Sequence, residues 1–121
     1  MNWFAVGAVL AGVGVVLGAF GAHGLKTRVS PELLVVFETG VRYQMYHALG
    51  LLAVGWAMSR NPLPSIRVAG ILFVTGIVLF SGSLYLMTLT GAGWLGAITP
   101  LGGLAFILGW LFLAWGVRSR S

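Results

Sequence analysis

The chain has 121 residues, of which 59% are hydrophobic and 7% are charged. An ordinary soluble domain carries roughly 25% charged residues, and a mean hydropathy of +1.00 leaves too few polar side chains to cover a surface in water. These values exclude a free-standing soluble domain, a disordered chain and a disulfide scaffold, and they establish an integral membrane protein.

Cysteine content and charge narrow the chemistry further. No cysteine is present, which excludes thiolate metal sites and cysteine nucleophiles. The formal net charge is +5, but the basic residues stand singly at the edges of apolar runs, where they serve as topology and headgroup anchors. Because no basic stripe could follow a phosphate backbone, we expect no binding to nucleic acid.

Four segments are long and apolar enough for membrane spans, since about 30 Å of hydrocarbon needs about 20 residues of helix. The predicted spans are 3–22, 41–58, 68–89 and 94–117. The predicted fold is therefore all-α, an integral membrane four-helix bundle formed by a single domain over 1–121.

The linker after the first span contains its own helix start. Ser30, Pro31 and Glu32 form the pattern of an N-cap, a first-turn proline and a first-turn acid. A helix from there to the end of the second span would be about 42 Å long, which exceeds the bilayer core. Either its first turns protrude, or residues 31–39 form a short interfacial amphipathic helix with a bend at Gly40. We expect the interfacial helix.

Small residues form regular seams on two of the spans. In the first span they recur at spacings of four and three, at Gly7, Ala11, Gly14, Gly18 and Gly21. In the fourth span they recur at a spacing of seven, at Gly102, Gly109 and Gly116. Because helices in lipid associate by close packing, such seams let two backbones approach each other. The spacing predicts left-handed packing at a shallow angle, within one chain or in a homo-oligomer.

Basic and aromatic residues predict the orientation in the membrane. The side that would carry both termini holds four arginines, at Arg60, Arg67, Arg118 and Arg120. The opposite side holds three basic residues, at Lys26, Arg28 and Arg42. Since cytoplasmic loops carry the excess of positive charge, we expect both termini in the cytoplasm. Aromatic residues near the span ends are typical of an interfacial belt: Trp3, Tyr43, Tyr46, Trp56, Trp94 and Trp115.

The residues able to carry chemistry are concentrated between 23 and 47. They form a candidate polar cluster of His23, Glu38, Arg42, Tyr43, Gln44 and His47. Metal-ligand spacing is absent from this segment, and we expect neither a metal nor a cofactor. Any site is therefore predicted at one end of the bundle, around the first linker and the start of the second span.

Two pairs within this cluster have helical spacing. Glu38 and Arg42 are four apart with the acid first, so we expect Glu38 to neutralise an arginine that is costly in the membrane. A pair that binds a headgroup or a substrate is the alternative. His47 lies one turn beyond Tyr43, so their rings share a helix face. We expect His47 to hydrogen-bond a neighbouring helix, with proton or metal handling as the alternative.

The second half of the third span is mildly polar. It contains four side chains with hydroxyl groups, at Ser81, Ser83, Tyr85 and Thr88. Serine and threonine can hydrogen-bond back to their own helix, which requires no function. The alternative is a polar face that meets the cluster on the first linker and second span.

Several stretches resemble one family of small membrane proteins. The most specific are Gly-Ala-Phe-Gly-Ala-His at 18–23 and Arg-Tyr-Gln-Met-Tyr-His at 42–47, and the stretches 80–85 and 99–103 also fit. Over essentially its whole length the chain resembles the YgdD/YwdK-like family, catalogued as domain of unknown function 423. The resemblance implies a four-helix protein of the bacterial inner membrane and implies no activity, substrate or cofactor.

Three functions compete on these grounds. The glycine seams and scarce polar residues favour a non-enzymatic protein that supports the envelope or a partner membrane protein, with membrane lipids around it. The alternative is a small oligomeric transporter or channel. Small multidrug-resistance transporters have a similar length but carry an acid in the middle of the first helix, which this chain lacks. An enzyme built on the polar cluster would lack a conspicuous nucleophile, so we expect no enzyme.

Overall fold

The computed structural model describes residues 2–118. Helices account for nearly all of them, and this part of the chain contains no strand. The predicted all-α fold is therefore confirmed. Arg120, which entered the prediction of orientation, lies outside the described residues.

The chain folds into four long helices joined by short connections. In chain order they are α1, Trp3–Leu25, α2, Pro31–Arg60, α3, Pro64–Thr90, and α4, Thr99–Arg118. Two segments within them are π-helical, Gly21–Leu25 at the end of α1 and Ile77–Ser81 within α3. A 3-10 helix, Gly93–Ala97, precedes α4.

Local sequence explains where these helices begin and end. The Asn2 side chain accepts a hydrogen bond of 3.0 Å from a backbone N–H of the first turn of α1. Ser30 does the same for α2 at 3.2 Å, and Pro31 occupies the first helical position, where its missing N–H costs nothing. After α3 the chain turns at Gly91, whose φ of 72° is left-handed and favours glycine. The predicted helix start at Ser30 is therefore confirmed.

Helix α2 differs from the prediction in its first turns. The expected interfacial helix over 31–39 is not a separate helix, because α2 continues through Gly40 without a break. The glycine serves close packing instead of a bend, since a methyl group there would lie 2.8 Å from the ring of Tyr85 on α3.

Three helical segments are long and apolar enough to cross a membrane: Trp3–Leu25, Pro64–Thr90 and Gly93–Arg118. Four such segments were predicted, and α2 is the one that does not qualify. Its 30 residues include both glutamates of the chain together with two arginines and a histidine, which lower its hydropathy. Despite this polarity, α2 packs against both α1 and α3.

The four helices pack antiparallel in chain order. Helix α2 lies between α1 and α3, and α4 packs on α3 while touching α2 only briefly. Glycines line both outer contacts. A methyl group on Gly7 of α1 would lie 2.6 Å from the carbonyl oxygen of Ala48 on α2, and one on Gly109 of α4 would lie 2.6 Å from the ring of Phe73 on α3. No side chain fits at either distance.

The other seam residues lie on the same two faces. Gly14, Gly18 and Gly21 lie against residues of α2, Gly102 and Gly116 lie against residues of α3, and Ala11 is half-buried within α1.

The apolar core occupies the end of the bundle at which α2 is joined to α3. It includes Leu51, Ile66 and Phe73, each at most 1% exposed. Trp3 belongs to this core with its ring against Gly70 of α3, where a methyl group would lie 2.8 Å away. Trp3 stands at the first position of α1, but its ring is buried against Gly70 and does not face outward as a residue of an aromatic belt would.

Candidate functional site

Gln44 lies at the centre of three helices and is 2% exposed. Its side-chain amide donates a hydrogen bond of 2.8 Å to the carbonyl oxygen of Leu10 on α1. Its side-chain oxygen accepts a hydrogen bond of 2.6 Å from the hydroxyl of Tyr85 on α3. We call Gln44, Tyr85 and the Leu10 carbonyl the inner bridge, since together they join α1, α2 and α3.

Further hydroxyl groups of α3 bond to carbonyl oxygens of α2. Ser81, fully buried in the π-helical turn, donates a hydrogen bond of 2.7 Å to the carbonyl of Gly40. Thr88 bonds back to its own helix at 2.8 Å and lies 3.4 Å from the carbonyl of Leu33. The polar half of the third span therefore does both things that were predicted: Thr88 bonds back to its own helix, and Ser81 bonds to α2. The π-helical turn is one device by which a helix re-aims a side chain toward a neighbour.

His47 lies one turn from Gln44, is 4% exposed and uses both ring nitrogens. A backbone carbonyl can only accept a hydrogen bond, so Nδ1 donates to the carbonyl of Tyr43 at 2.7 Å. An indole N–H can only donate, so Nε2 accepts from Trp110 of α4 at 2.9 Å. These partners require the neutral ring. The ring of Phe106 stacks on it with centroids 3.5 Å apart.

A recess of about 590 Å³ lies over His47 between α2 and α4, with Phe80 of α3 on its wall. We call it the aromatic groove, lined by Tyr43, Tyr46, His47, Phe80, Gly103, Phe106, Ile107 and Trp110. Its volume is within the range of about 300–1,000 Å³ typical of ligand pockets. Its walls include Ile107 and Tyr46, which are 59% and 52% exposed, so the groove opens on the side of the bundle.

The predicted polar cluster does not assemble as one site. Gln44 points into the bundle, and Tyr43 and His47 face the groove. Glu38 and Arg42 are exposed on α2, and no ion pair joins them among residues 2–118. The predicted neutralisation of Arg42 by Glu38 is therefore absent, because both side chains are exposed and each can extend to water or to lipid headgroups instead of to the other.

His23 lies apart from the rest of the cluster. It is exposed in the π-helical end of α1, beside Gly21, which packs on Phe37. Ten residues of α2 separate Phe37 from His47, a distance of roughly 15 Å along the helix. Within the described residues, no three side chains of the metal-ligating types lie close enough to hold one ion.

Three residues central to these contacts were outside the predicted cluster. Tyr85 had a signal, since it belongs to the polar half of the third span. Phe106 and Trp110 had no such signal. In an apolar span, the sequence does not distinguish an aromatic side chain that contacts another helix from one that faces lipid. The buried hydrogen bonds of this region hold helices together, and neither nitrogen of His47 is left for other chemistry.

Comparison with known proteins identifies relatives over most of the chain. Residues 17–103 match the family model described as "Protein of unknown function (DUF423)". The UPF0382 membrane protein YwdK of Bacillus subtilis is 50% identical over 109 residues, which are 89% of each chain. The UPF0382 membrane protein SSP2132 of Staphylococcus saprophyticus is 50% identical over 111 residues, 92% of each chain. No solved structure matches this chain.

Proposed function

Because the chain belongs to the DUF423 family of membrane proteins, whose name assigns no activity, we propose a role from the geometry. The protein is a non-enzymatic, four-pass protein of the bacterial inner membrane that supports the envelope or a partner complex. One observation carries this proposal. Three buried polar side chains of α2 and α3, Gln44, His47 and Ser81, each form a hydrogen bond to another helix.

The position of α2 beside α1 supports four spans. Phe37 of α2 lies against Gly21 near one end of α1, and Gly55 lies against Phe4 at the other. The 18 helical steps from Phe37 to Gly55 rise about 27 Å, close to the thickness of the hydrocarbon core. If α1 crosses the membrane, this part of α2 crosses it too. Two of its polar residues, Gln44 and His47, are tolerated because they are hydrogen-bonded inside the protein.

The proposed orientation has both termini in the cytoplasm. Arg60, Arg67 and Arg118 lie at one end of the bundle, and Lys26 and Arg28 lie at the other. Among the described residues, the end that carries both termini has one more basic residue than the opposite end. The absence of cysteine makes the chain suited to labelling, because each introduced thiol is the only one.

Single cysteines at Thr27 and Ser59, both exposed, test the topology. We expect a membrane-impermeant maleimide to label Thr27→Cys in intact cells and Ser59→Cys only after permeabilisation. The unsubstituted chain is the control for background. Labelling of both positions from outside would contradict four antiparallel spans, and the reverse pattern would invert the orientation.

The glycine seams support a packing role within the chain. Gly7 and Gly14 approach α2, and Gly102 and Gly109 approach α3, so both seams are already covered by helices of the same molecule. Left-handed packing at a shallow angle is the arrangement we propose for both contacts. A homo-oligomer would then use other faces.

Transport is the competing role, and a reconstituted system tests it. A proton pathway would need polar groups that continue from one end of the bundle to the other. Gln44 bonds instead to Tyr85 and the Leu10 carbonyl, and His47 bonds to Trp110, so each forms a local contact between helices. We expect proteoliposomes loaded with a pH-sensitive dye to hold an imposed proton gradient as long as protein-free vesicles. A faster decay that is lost in His47→Phe would overturn the supporting role.

Complementation tests the role in the cell. In a bacterium lacking its own family member, we expect any envelope defect, measured as sensitivity to detergent or osmotic downshift, to be rescued by the wild-type protein. His23→Ala and Glu38→Gln should rescue equally, because both side chains are exposed and bond to no other helix. Loss of rescue by either variant, at normal membrane abundance, would point to chemistry instead of support.

A further inference from the structure

The aromatic groove lies at a distinctive depth if the chain spans the membrane as proposed. His47 and Tyr46 are near the middle of the segment of α2 that runs beside α1, and Phe106 is near the middle of Gly93–Arg118. The groove therefore lies close to the bilayer midplane and opens sideways. Its opening faces lipid, not water.

Arg42 stands next to this groove on the exposed face of α2. It is one turn before Tyr46, whose ring forms part of the groove wall, and side chains four apart lie on one helix face. Helical side chains lean toward the N-terminus of their helix, so the guanidinium extends from the groove toward the end of the bundle that carries Lys26. Among the described residues it has no acidic partner.

An arginine on the lipid-facing side of a helix requires an anion or water. The groove beside it is largely apolar, and α2 and α4 are joined across its floor by the 2.9 Å hydrogen bond between His47 and Trp110. An extended hydrocarbon chain suits this apolar groove, and the phosphate of the same lipid is the anion that an Arg42 side chain extending toward the headgroups can reach.

We propose that Arg42 and the aromatic groove bind one molecule of an anionic phospholipid. The phosphate pairs with the Arg42 guanidinium, and one acyl chain lies along the groove from Tyr46 past Ile107 to Trp110. This site rests on the proposed membrane-spanning arrangement and places the lipid in the leaflet next to Lys26.

Native mass spectrometry of the purified full chain in detergent tests the site. Phosphatidylglycerol and phosphatidylcholine with identical acyl chains are titrated separately, and the dissociation constant of the first bound lipid is measured. We expect wild type to bind phosphatidylglycerol about fivefold more tightly, as one arginine near an anionic headgroup provides. Arg42→Gln should make the two lipids equal. Arg67→Gln, which removes an exposed arginine at the other end, should leave the preference intact.

A second pair of variants tests the groove itself. Gly103→Leu fills the recess and should weaken binding of both lipids at least tenfold. The matched control is Gly12→Leu, because Gly12 is exposed on α1 with nothing near its added methyl group. If Gly103→Leu does not accumulate, Ile107→Trp obstructs the same groove from its exposed wall. Helical content and elution volume identify folded variants.

Several outcomes would overturn the site. They are an unchanged lipid preference in Arg42→Gln, unchanged lipid affinity in the folded groove variants, or a wild-type dimer that forms in place of the lipid adduct. The last outcome would assign the groove to a second copy. These results differ from failure of the proposed topology, which is detected by maleimide labelling and does not depend on lipid identity.

Discussion

Two polar sites three residues apart on α2 have opposite surroundings. Gln44 in the inner bridge and His47 at the aromatic groove are 2% and 4% exposed, and each makes two hydrogen bonds. Yet Gln44 is enclosed by α1 and α3, whereas His47 lies beneath a recess that opens between α2 and α4. Equal burial of a side chain therefore does not indicate an equal role.

The difference comes from the helices that pack on each side. On the Gln44 side, Gly14 allows α1 to approach so closely that a methyl group there would lie 2.5 Å from Met45 and 3.6 Å from the Gln44 amide. On the His47 side, α4 packs on α3 and meets α2 only through aromatic rings, and Gly103 leaves space. Gly14 therefore allows α1 to cover Gln44, whereas Gly103 leaves the recess over His47 open.

Leucine at these two glycines should give the largest contrast. Gly14→Leu forces a branched side chain against Met45 and Gln44, and we expect a loss of about 3 kcal/mol in the free energy of unfolding. Gly103→Leu points into the groove, where the nearest atom to an added methyl is 3.8 Å away, and should cost less than about 1 kcal/mol. Titration with SDS in mixed micelles measures both. Equal losses would contradict the open groove.

Gln44→Leu should have the next largest effect. It removes both hydrogen bonds of the inner bridge and leaves the Tyr85 hydroxyl without its partner, so we expect a loss of about 2 kcal/mol in unfolding free energy.

Tyr85→Phe in the same background should recover about 1 kcal/mol, because the unpaired hydroxyl is then removed as well. The four proteins of this double-mutant cycle are compared by SDS titration. Strict additivity of the two substitutions would argue that the two side chains are not coupled.

His47→Phe should cost less than Gln44→Leu. A planar aromatic ring that can stack on Phe106 is kept, and Trp110, which loses its acceptor, is already 43% exposed. Hydrogen bonds between membrane helices average about 0.6 kcal/mol, which is the loss we expect. Trp110→Phe should match it. A loss of unfolding free energy as large as that of Gln44→Leu would show that the hydrogen bonds of His47 and of Gln44 stabilise the protein equally.

Glu38→Gln should have the smallest effect, within about 0.5 kcal/mol of wild type. Its carboxylate is exposed and forms no ion pair with Arg42, so neutralising it removes no contact within the chain. Thermal melting in detergent at two salt concentrations checks this. A destabilisation that depends on salt concentration would indicate that Glu38 and Arg42 do form the ion pair that the helical spacing predicted.

Sequence patterns predicted the elements better than their contacts. The N-cap at Ser30 depends on neighbouring residues alone, and its helix starts where expected. The Glu38–Arg42 pair was also predicted from the spacing of nearby residues, but it is not formed. Exposed side chains on a helix have solvent as a competing partner. Gly40 was predicted as a bend because a straight helix through it exceeds the bilayer core in length, whereas close packing against Tyr85 of α3 explains the glycine.

By itself, the sequence determined the all-helical class, the membrane environment and the family, since hydropathy, helix caps and motifs are properties of contiguous residues. Only the tertiary structure decided that Gln44 faces inward, that His47 meets Trp110 and that a groove opens beside Arg42. Those outcomes depend on which helix packs on which face of α2. The residues involved are up to 63 positions apart in the chain, a separation at which helical periodicity carries no information about the partner.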